Sequence, residues 1–167
     1  VSKHTLSSVG SQTVTITAFE TLTDTYEINV VDKVLNAESE KVTINVDAAG
    51  SVAATVEGVT FKTLNDALRY LELCELPAET VKEIKVAAGS YYEKVEVNLP
   101  NVHIIGSNTE TSETVVWYDV INGMVDPSGT TSYSTDGSAS VSIRSTAVGF
   151  YAQNITFKNY YNTHALY

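Results

Sequence analysis

The side chains that could carry out chemistry lie mainly in a polar stretch in the second half of the chain. Residues 118–138 contain Asp119, Asp126 and Asp136, and Thr135 directly precedes the last of these. Two carboxylates with separated pKa values can act as nucleophile and proton shuttle in hydrolysis. Loop aspartates more often stabilise turns through their own backbone, and we predict that role for all three.

Histidine and cysteine offer little for a metal or covalent centre. His4, His103 and His164 are scattered without ligand spacing. Cys74 is the only cysteine, so the chain has no internal disulfide and no cysteine-based metal site. Because Cys74 lies in an apolar run with Leu71 and Leu76, we predict that it is a small buried hydrophobic residue.

The composition narrows the classes of partner. Hydrophobic residues make up 43% of the 167, which is typical of a globular chain. The formal net charge of −10 argues against nucleic acid or an anionic membrane surface as partner, since a negative protein would be repelled by both. No apolar run reaches the ~18 residues that a membrane span needs.

The first 46 residues show the alternation of half-buried strands. Apolar side chains recur at every second position in three runs, which are Val14, Ile16 and Ala18, then Tyr26, Ile28 and Val30, then Val42, Ile44 and Val46. The part up to Val30 resembles the last strands of a bacterial immunoglobulin-like domain. We therefore predict a partial, β-sandwich-like module at residues 1–46 and a second unit at residues 47–167, joined by small residues.

One helix is predicted near the start of the second unit. Thr63 can cap it, and Pro77 closes it off. The apolar residues that share one face are Leu64, Ala67, Leu68 and Leu71. We expect this helix to cover the open end of the β structure that follows, because an exposed sheet end invites edge pairing.

Short strands at roughly ten-residue spacing follow residue 80, which fits a sandwich, a barrel or a β-helix. No Asn-Gly or Asp-Gly turn joins the early strands, and this weighs against a meander. Val115 and Trp117 are expected to alternate on one strand, with Trp117 inside the core. In a solenoid, a long polar insertion such as residues 118–138 maps to one face and often builds a cleft.

Six motifs, in order, are similar to those of pectin methylesterases (carbohydrate esterase family 8). They are F-x-T-L-x-x-A-L at 61–68, I-x-V-x-x-G-x-Y-x-E-K-V at 84–95, V-x-I-I-G at 102–106, T-V-V at 114–116, T-x-x-S-A-S-V at 135–141 and G-F-x-A-x-N-I-T-F-x-N at 149–159. The resemblance implies an all-β chain with a right-handed parallel β-helix that a helix caps. It also implies a secreted or cell-surface protein acting on pectin in plant cell walls, with no metal and no organic cofactor.

The resemblance further implies roles for individual residues. In the family one aspartate attacks the methyl ester, a second acts as acid and then base, and glutamine amides stabilise the oxyanion. Those aspartates lie in Q-D-T-L and V-D-F-I-F-G motifs, which this sequence lacks, so the catalytic pair is expected beyond Tyr167 and this chain alone is expected to be inactive. Thr135 matches a substrate-contacting threonine. Asn162 takes the place of the first glutamine, as a shorter oxyanion donor and substrate contact. Independently of the resemblance, the aromatic side chains of Tyr160 and Tyr161 could stack on sugar rings.

Other interpretations remain open. The chain could belong to a non-catalytic solenoid, either a carbohydrate-binding module or an adhesin. A pectate-lyase-like β-helix would need clustered aspartates for calcium, and no such cluster occurs in this sequence. A solenoid with an uncovered last rung also has unpaired backbone groups and apolar surface, so we expect self-association through the C-terminal end.

Overall fold

The structure is a computed structural model, and the regular elements among the residues that it describes are twelve β-strands and one α-helix. The described residues are 10–18, 22–30, 35, 38–49, 60–107, 113–125, 127–130 and 132–161. In these ranges no helix has the length and apolar character needed to cross a membrane.

The connections between the elements are short from residue 60 on, except for residues 119–140. In chain order they are β1 (Gly10–Ala18), β2 (Leu22–Val30), β3 (Lys41–Val46), β4 (Thr60–Phe61), α1 (Leu64–Cys74), β5 (Val81–Val86), β6 (Gly89–Tyr92), β7 (Val95–Val97), β8 (Val102–Gly106), β9 (Thr114–Tyr118), β10 (Val141–Ile143), β11 (Tyr151–Gln153) and β12 (Thr156–Asn159).

Strands β3 to β12 form three parallel sheets to which the chain returns on each turn. One sheet has the order β11-β8-β5-β3-β4, the second β12-β9-β6 and the third β10-β7, and every strand pair in them is parallel. A chain that passes repeatedly, in one direction, through the same parallel sheets forms a β-helix. The prediction of a right-handed parallel β-helix is therefore confirmed. Strands β1 and β2 form a separate antiparallel pair.

The core is a stack of identical side chains along the solenoid axis. Ile44, Ile84 and Ile104 are paired in register on β3, β5 and β8, and each is completely buried. Burial of one such side chain stabilises the fold by roughly 1.5–3 kcal/mol. The stack continues to Ala152 on β11, which is exposed because no described strand lies beyond it. Period-two alternation in each strand thus becomes one continuous apolar interior.

Strand β3 belongs to the solenoid, although the sequence analysis grouped its residues with the N-terminal strands. It pairs with β5 over its whole length, from Lys41 opposite Val81 to Val46 opposite Val86, and with β4 on its other side. The alternation in β3 is compatible with a place in the N-terminal module or in the solenoid. Only the parallel pairing with β4 and β5 assigns it to the solenoid. The immunoglobulin-like nature of residues 1–46 stays a prediction.

Helix α1 begins where the sequence predicts, and a distant strand segment completes its cap. The Thr63 hydroxyl accepts from the backbone N–H of Asp66. The Glu93 carboxylate accepts from the N–H groups of Leu64 at 2.9 Å and Asn65 at 3.0 Å, although burial raises the pKa of Glu93. The helix packs on β3, β4 and β7, and its buried face includes Cys74, as predicted. The glutamate of the G-x-Y-x-E segment therefore fastens the helix to the first rungs.

Candidate functional site

The outer face of the β6–β9–β12 sheet carries a row of large side chains. On β6, Tyr91 is buried and Tyr92 is 57% exposed; on β9, Thr114 and Val116 are buried. Trp117 therefore points outward, and the expectation that it packs in the core is wrong. The run T-V-V-W-Y has an apolar residue on both faces, so its alternation does not fix which face is inside.

Four aromatic rings lie together on this surface, which we call the aromatic face (Tyr92, Trp117, Tyr118 and Tyr160). The Tyr92 ring lies 4.5 Å from that of Trp117 and 5.8 Å from that of Tyr118, between centroids. Tyr160 meets Trp117 edge-on at 5.3 Å. Tilted and edge-on contacts at these distances stabilise aromatic clusters.

Polar contacts hold two of these rings in place. The Trp117 indole Nε1 donates to the Ser90 hydroxyl at 2.8 Å. The Tyr92 hydroxyl donates to Asp119 Oδ1 at 2.7 Å, and this hydrogen bond raises the pKa of Tyr92 to about 12. Asp119 is thus a fixed acceptor beside the aromatic face. Asp119 contacts a residue of a neighbouring strand, whereas the sequence analysis predicts that it stabilises a turn.

A cation borders the aromatic face on the last strand. Lys158 Nζ lies 3.9 Å from the centroid of the Tyr160 ring, which is the geometry of a cation–π contact. Within the part of the chain that the structure describes, Lys158 Nζ forms no ion pair. Lys158 is exposed, so its charge faces solvent next to the rings.

The long polar segment after β9 is fastened at its base by one amide. Asn159 Nδ2 donates to the carbonyl of Val120 at 2.7 Å and to that of Ser138 at 3.0 Å. These two carbonyls lie near the two ends of the segment, so Asn159 closes it beside the aromatic face. Inside it, Asn122 Nδ2 donates to the Thr135 hydroxyl at 3.1 Å.

Asp136 attaches the far end of this segment to the neighbouring sheet. Its carboxylate accepts from the Ser142 hydroxyl at 2.8 Å and from Arg144 at 2.9 Å. These hydrogen bonds, first from Ser142 and then from Arg144, lower the pKa of Asp136. Arg144 also bonds Glu96 and lowers the pKa of that carboxyl. Asp136 is therefore an ionised anchor.

The four residues that the sequence analysis predicts as substrate contacts have different places relative to this surface, and one of them is not described. Thr135 is exposed on the closed segment, and Tyr160 lies on the aromatic face. Tyr161 donates its backbone N–H to Asn159 Oδ1 and is half-buried. Asn162 lies outside the described residues. Their substrate-binding roles stay predictions.

Sequence analysis missed Tyr92 and Lys158 as members of this surface. The available signal was the alternation itself: Tyr91 occupies the core position, so its neighbour Tyr92 must face out. Lys158 follows Phe157 in the same way on β12. The pairing of β6, β9 and β12 that collects these residues could not be read from any one strand.

A second feature of the molecule is a cavity of about 380 Å³ at the last rung. It is lined by Ser140, Val141, Ile143, Phe150 and Phe157. Val141, Phe150 and Phe157 of this lining pack against the core, whereas Ile143 is 45% exposed, and none of them belongs to the aromatic face. No group of three or more metal-ligating side chains occurs among the described residues.

Comparison with known proteins adds structural neighbours only. No family model matches this sequence, and no curated protein sequence matches it. Two crystal structures of pectin methylesterase, one in complex with hexasaccharide VII and one a mutant in complex with hexasaccharide IV, each superpose with a TM-score of 0.51 at 25% identity. Each alignment covers 68% of this chain and 29% of the matched chain.

A third structure, the pectin methylesterase PemA from Erwinia chrysanthemi, matches with a TM-score of 0.45 at 22% identity, over 60% of this chain and 26% of that one. The chain thus spans less than a third of the length of the enzymes that it resembles.

Proposed function

We propose that this chain is the N-terminal part of a pectin methylesterase, whose complete form hydrolyses methyl esters of galacturonan and releases methanol. The observation that carries the proposal is the likeness of the helix-capped β-helix to two pectin methylesterase structures over 68% of the chain. The matched neighbours are complexes with hexasaccharides, which favours an oligosaccharide substrate. A secreted or cell-surface location would give access to plant cell walls.

The described residues supply substrate contacts rather than a nucleophile. Ester hydrolysis through a carboxylate needs one aspartate free to attack and another free to exchange protons. Asp119 accepts from Tyr92, and Asp136 is held by Arg144 and Ser142, so both carboxylates already have structural partners. We assign the catalytic pair to sequence that follows Tyr167 in the complete enzyme. No cofactor is needed for this chemistry.

The proposed contacts come from the closed segment and from the end of β12. Thr135 would present its hydroxyl to the substrate from the segment that Asn159 closes. Tyr160 and Tyr161 would offer ring surface, and the Asn162 amide would donate to the oxyanion. The assignments of Thr135 and Asn162 rest on the motif match, and that of Tyr160 rests on its place in the aromatic face.

Methanol release from methyl-esterified pectin tests the proposal. We expect no turnover by the 167-residue chain and measurable turnover by a longer protein that continues past Tyr167. Methanol release by the short chain would contradict the assignment of the catalytic pair. A longer protein that is folded and releases no methanol would contradict the function itself.

A non-catalytic carbohydrate-binding solenoid is the second candidate. It is favoured by the aromatic face, whose rings would suit a sugar, and by the hydrogen bonds that already engage the Asp119 and Asp136 carboxylates. The two candidates differ in the continuing sequence, where the enzyme requires two aspartate motifs and the binding module does not.

A further inference from the structure

The outward side chains of three successive rungs form a straight column. Tyr92 on β6 pairs in register with Trp117 on β9, and Trp117 pairs in register with Lys158 on β12. Neighbouring strands lie ~4.8 Å apart, so the column spans ~10 Å along the solenoid axis. Two rings followed by one cation thus line a path long enough for more than one sugar unit.

The column is held rigid before any ligand arrives. Ser90 fixes the Trp117 indole, and Asp119 fixes the Tyr92 hydroxyl. Side chains that are already ordered lose little conformational entropy on binding, so more of the contact energy becomes affinity. A rigid aromatic surface with polar edges suits a sugar ring, which has an apolar C–H face and hydroxyls around its rim.

Two groups of opposite charge border the column. Asp119 directly follows the middle strand, β9, and accepts from the Tyr92 hydroxyl, whereas the exposed ammonium of Lys158 lies on the outermost strand, β12. A free carboxylate on the ligand would be repelled by Asp119 and attracted by Lys158. A methyl ester, being uncharged, is accepted beside Asp119. The surface is therefore complementary to a polymer that carries both esterified and free acid units.

We propose that the column Tyr92–Trp117–Lys158 binds one partly methyl-esterified galacturonan strand, with an esterified sugar on Tyr92 and Trp117 and a free carboxylate at Lys158. This inference rests on the proposed function for the identity of the sugar. It adds a binding subsite, and a residue, Lys158, that distinguishes partly from fully esterified substrate.

Tryptophan fluorescence of the 167-residue chain tests the subsite directly, because Trp117 is the only tryptophan. The probes are galacturonic acid hexamers with full, partial and no methyl esterification, and cellohexaose as a neutral hexamer of another sugar. We expect the partly esterified hexamer to change the emission at the lowest concentration. The fully esterified hexamer should bind more weakly, and the unesterified hexamer should be weakened by Asp119 and by the net charge of −10.

Variants locate the binding on the column. Tyr92→Ala should weaken binding roughly fivefold to tenfold, the usual effect of truncating an aromatic contact. Tyr92→Phe keeps the ring and should retain most of the affinity. Lys158→Gln should abolish the preference for the partly esterified over the fully esterified hexamer. The matched control is Tyr151→Ala, which removes an exposed tyrosine from the β11–β8 sheet and should leave binding unchanged.

Each of the other outcomes would contradict one part of the proposal. No binding of any hexamer removes the subsite but leaves the proposed function, which methanol release by the longer protein judges separately. Cellohexaose binding as tightly as the partly esterified hexamer rejects galacturonan as the ligand. Equal weakening by Tyr92→Ala and Tyr151→Ala rejects the location, and an unchanged preference in Lys158→Gln rejects the role of the cation.

Discussion

Lys82 is a charged residue at a core position. It pairs with Val42 on one side and Val102 on the other, and it is 1% exposed. Its ammonium donates to the carbonyls of Thr80 at 2.8 Å, Pro77 at 3.0 Å and Pro100 at 3.2 Å. Burial lowers the pKa of Lys82, with Glu79 acting in the opposite direction. The lysine thus ties two successive turns of the chain together from inside.

Replacement of Lys82 by methionine should lower the free energy of unfolding by about 2 kcal/mol. Methionine keeps most of the apolar stem, but three carbonyls lose their charged donor, and such hydrogen bonds are worth more than neutral ones. Urea unfolding followed by fluorescence measures the loss. Lys85→Met on the same strand is the control, because Lys85 is exposed and its loss should change stability by less than about 0.5 kcal/mol. Equal effects of the two changes would contradict the structural role of Lys82.

At the scale of elements, close contacts between turns decide how the rungs stack. Gly106 ends β8, and a Cβ atom placed there would lie 1.9 Å from the backbone oxygen of Asn154. Asn154 itself has a positive φ of 55°, a conformation that asparagine tolerates better than most residues. The glycine of the V-x-I-I-G motif is thus required by the turn of the next rung.

Gly106→Ala should destabilise the fold by about 3 kcal/mol or more, since the clash is with backbone and cannot be relieved by rotating a side chain. A thermal melt by circular dichroism measures the change. Gly89→Ala is the matched control, because a Cβ atom there would approach no atom closer than 3.5 Å. Equal melting temperatures of Gly106→Ala and Gly89→Ala would contradict the prediction, because they would show that the backbone at Asn154 can move away from residue 106 without loss of stability.

The attachment of the polar segment to the sheets should depend on pH. In the folded state the pKa of Asp136 is lowered by hydrogen bonds from Ser142 and Arg144, and that of Glu96 is lowered by the hydrogen bond from Arg144. Their contribution to stability is therefore complete above the ordinary carboxyl range and is lost as the pH falls through the lowered values.

Arg144→Gln should melt at a lower temperature than the natural sequence at about pH 7, and the difference should shrink as the pH falls below the ordinary carboxyl range and protonation removes the ion pairs. Calorimetry at several pH values measures this. Because the groups are exposed, the difference should also shrink with added salt. A difference in melting temperature that is the same at all pH values would place the effect of Arg144 in packing rather than in charge.

How far the sequence predicts the elements depends on whether alternation is unambiguous. Ile84 with Val86 and Val95 with Val97 lie in the core, as the polar residues between them indicate. The sequence predicts the wrong face for Trp117, because apolar residues occupy both the inward and the outward positions of its strand. Lys82 breaks the expected pattern by lying inside, which only its carbonyl partners on other turns explain. The hydrogen bonds from Asn159 to Val120 and Ser138 join distant parts of the chain, so no local sequence pattern predicts them.

At the scale of the whole molecule, the two ends of the solenoid differ. Helix α1 covers the first rungs, whereas β10, β11 and β12 are each the outermost strand of their sheet among the described residues. The cavity at the last rung opens between them. In a solenoid each rung is stabilised by its neighbours, so an outermost rung has lost half of those contacts.

We predict that the chain self-associates through this last rung. Sedimentation velocity at rising concentration should reveal dimers or larger species. Ile143→Glu, which places a charge in the cavity lining, should shift the chain toward monomer. Val148→Glu is the control, because Val148 is 72% exposed and does not line the cavity. A natural sequence that stays monomeric at high concentration would contradict the prediction.

The amide of Asn159 has a consequence for how such a protein can diversify. Since one side chain fixes the spacing between Val120 and Ser138, the stretch enclosed by them can be exchanged as a cassette. Shorter or longer inserts would start and finish at the same two anchor points, provided that they keep Asp136, which accepts from Ser142 and Arg144. Engineering of a new ligand preference would therefore begin with this interchangeable piece, provided that the asparagine is kept.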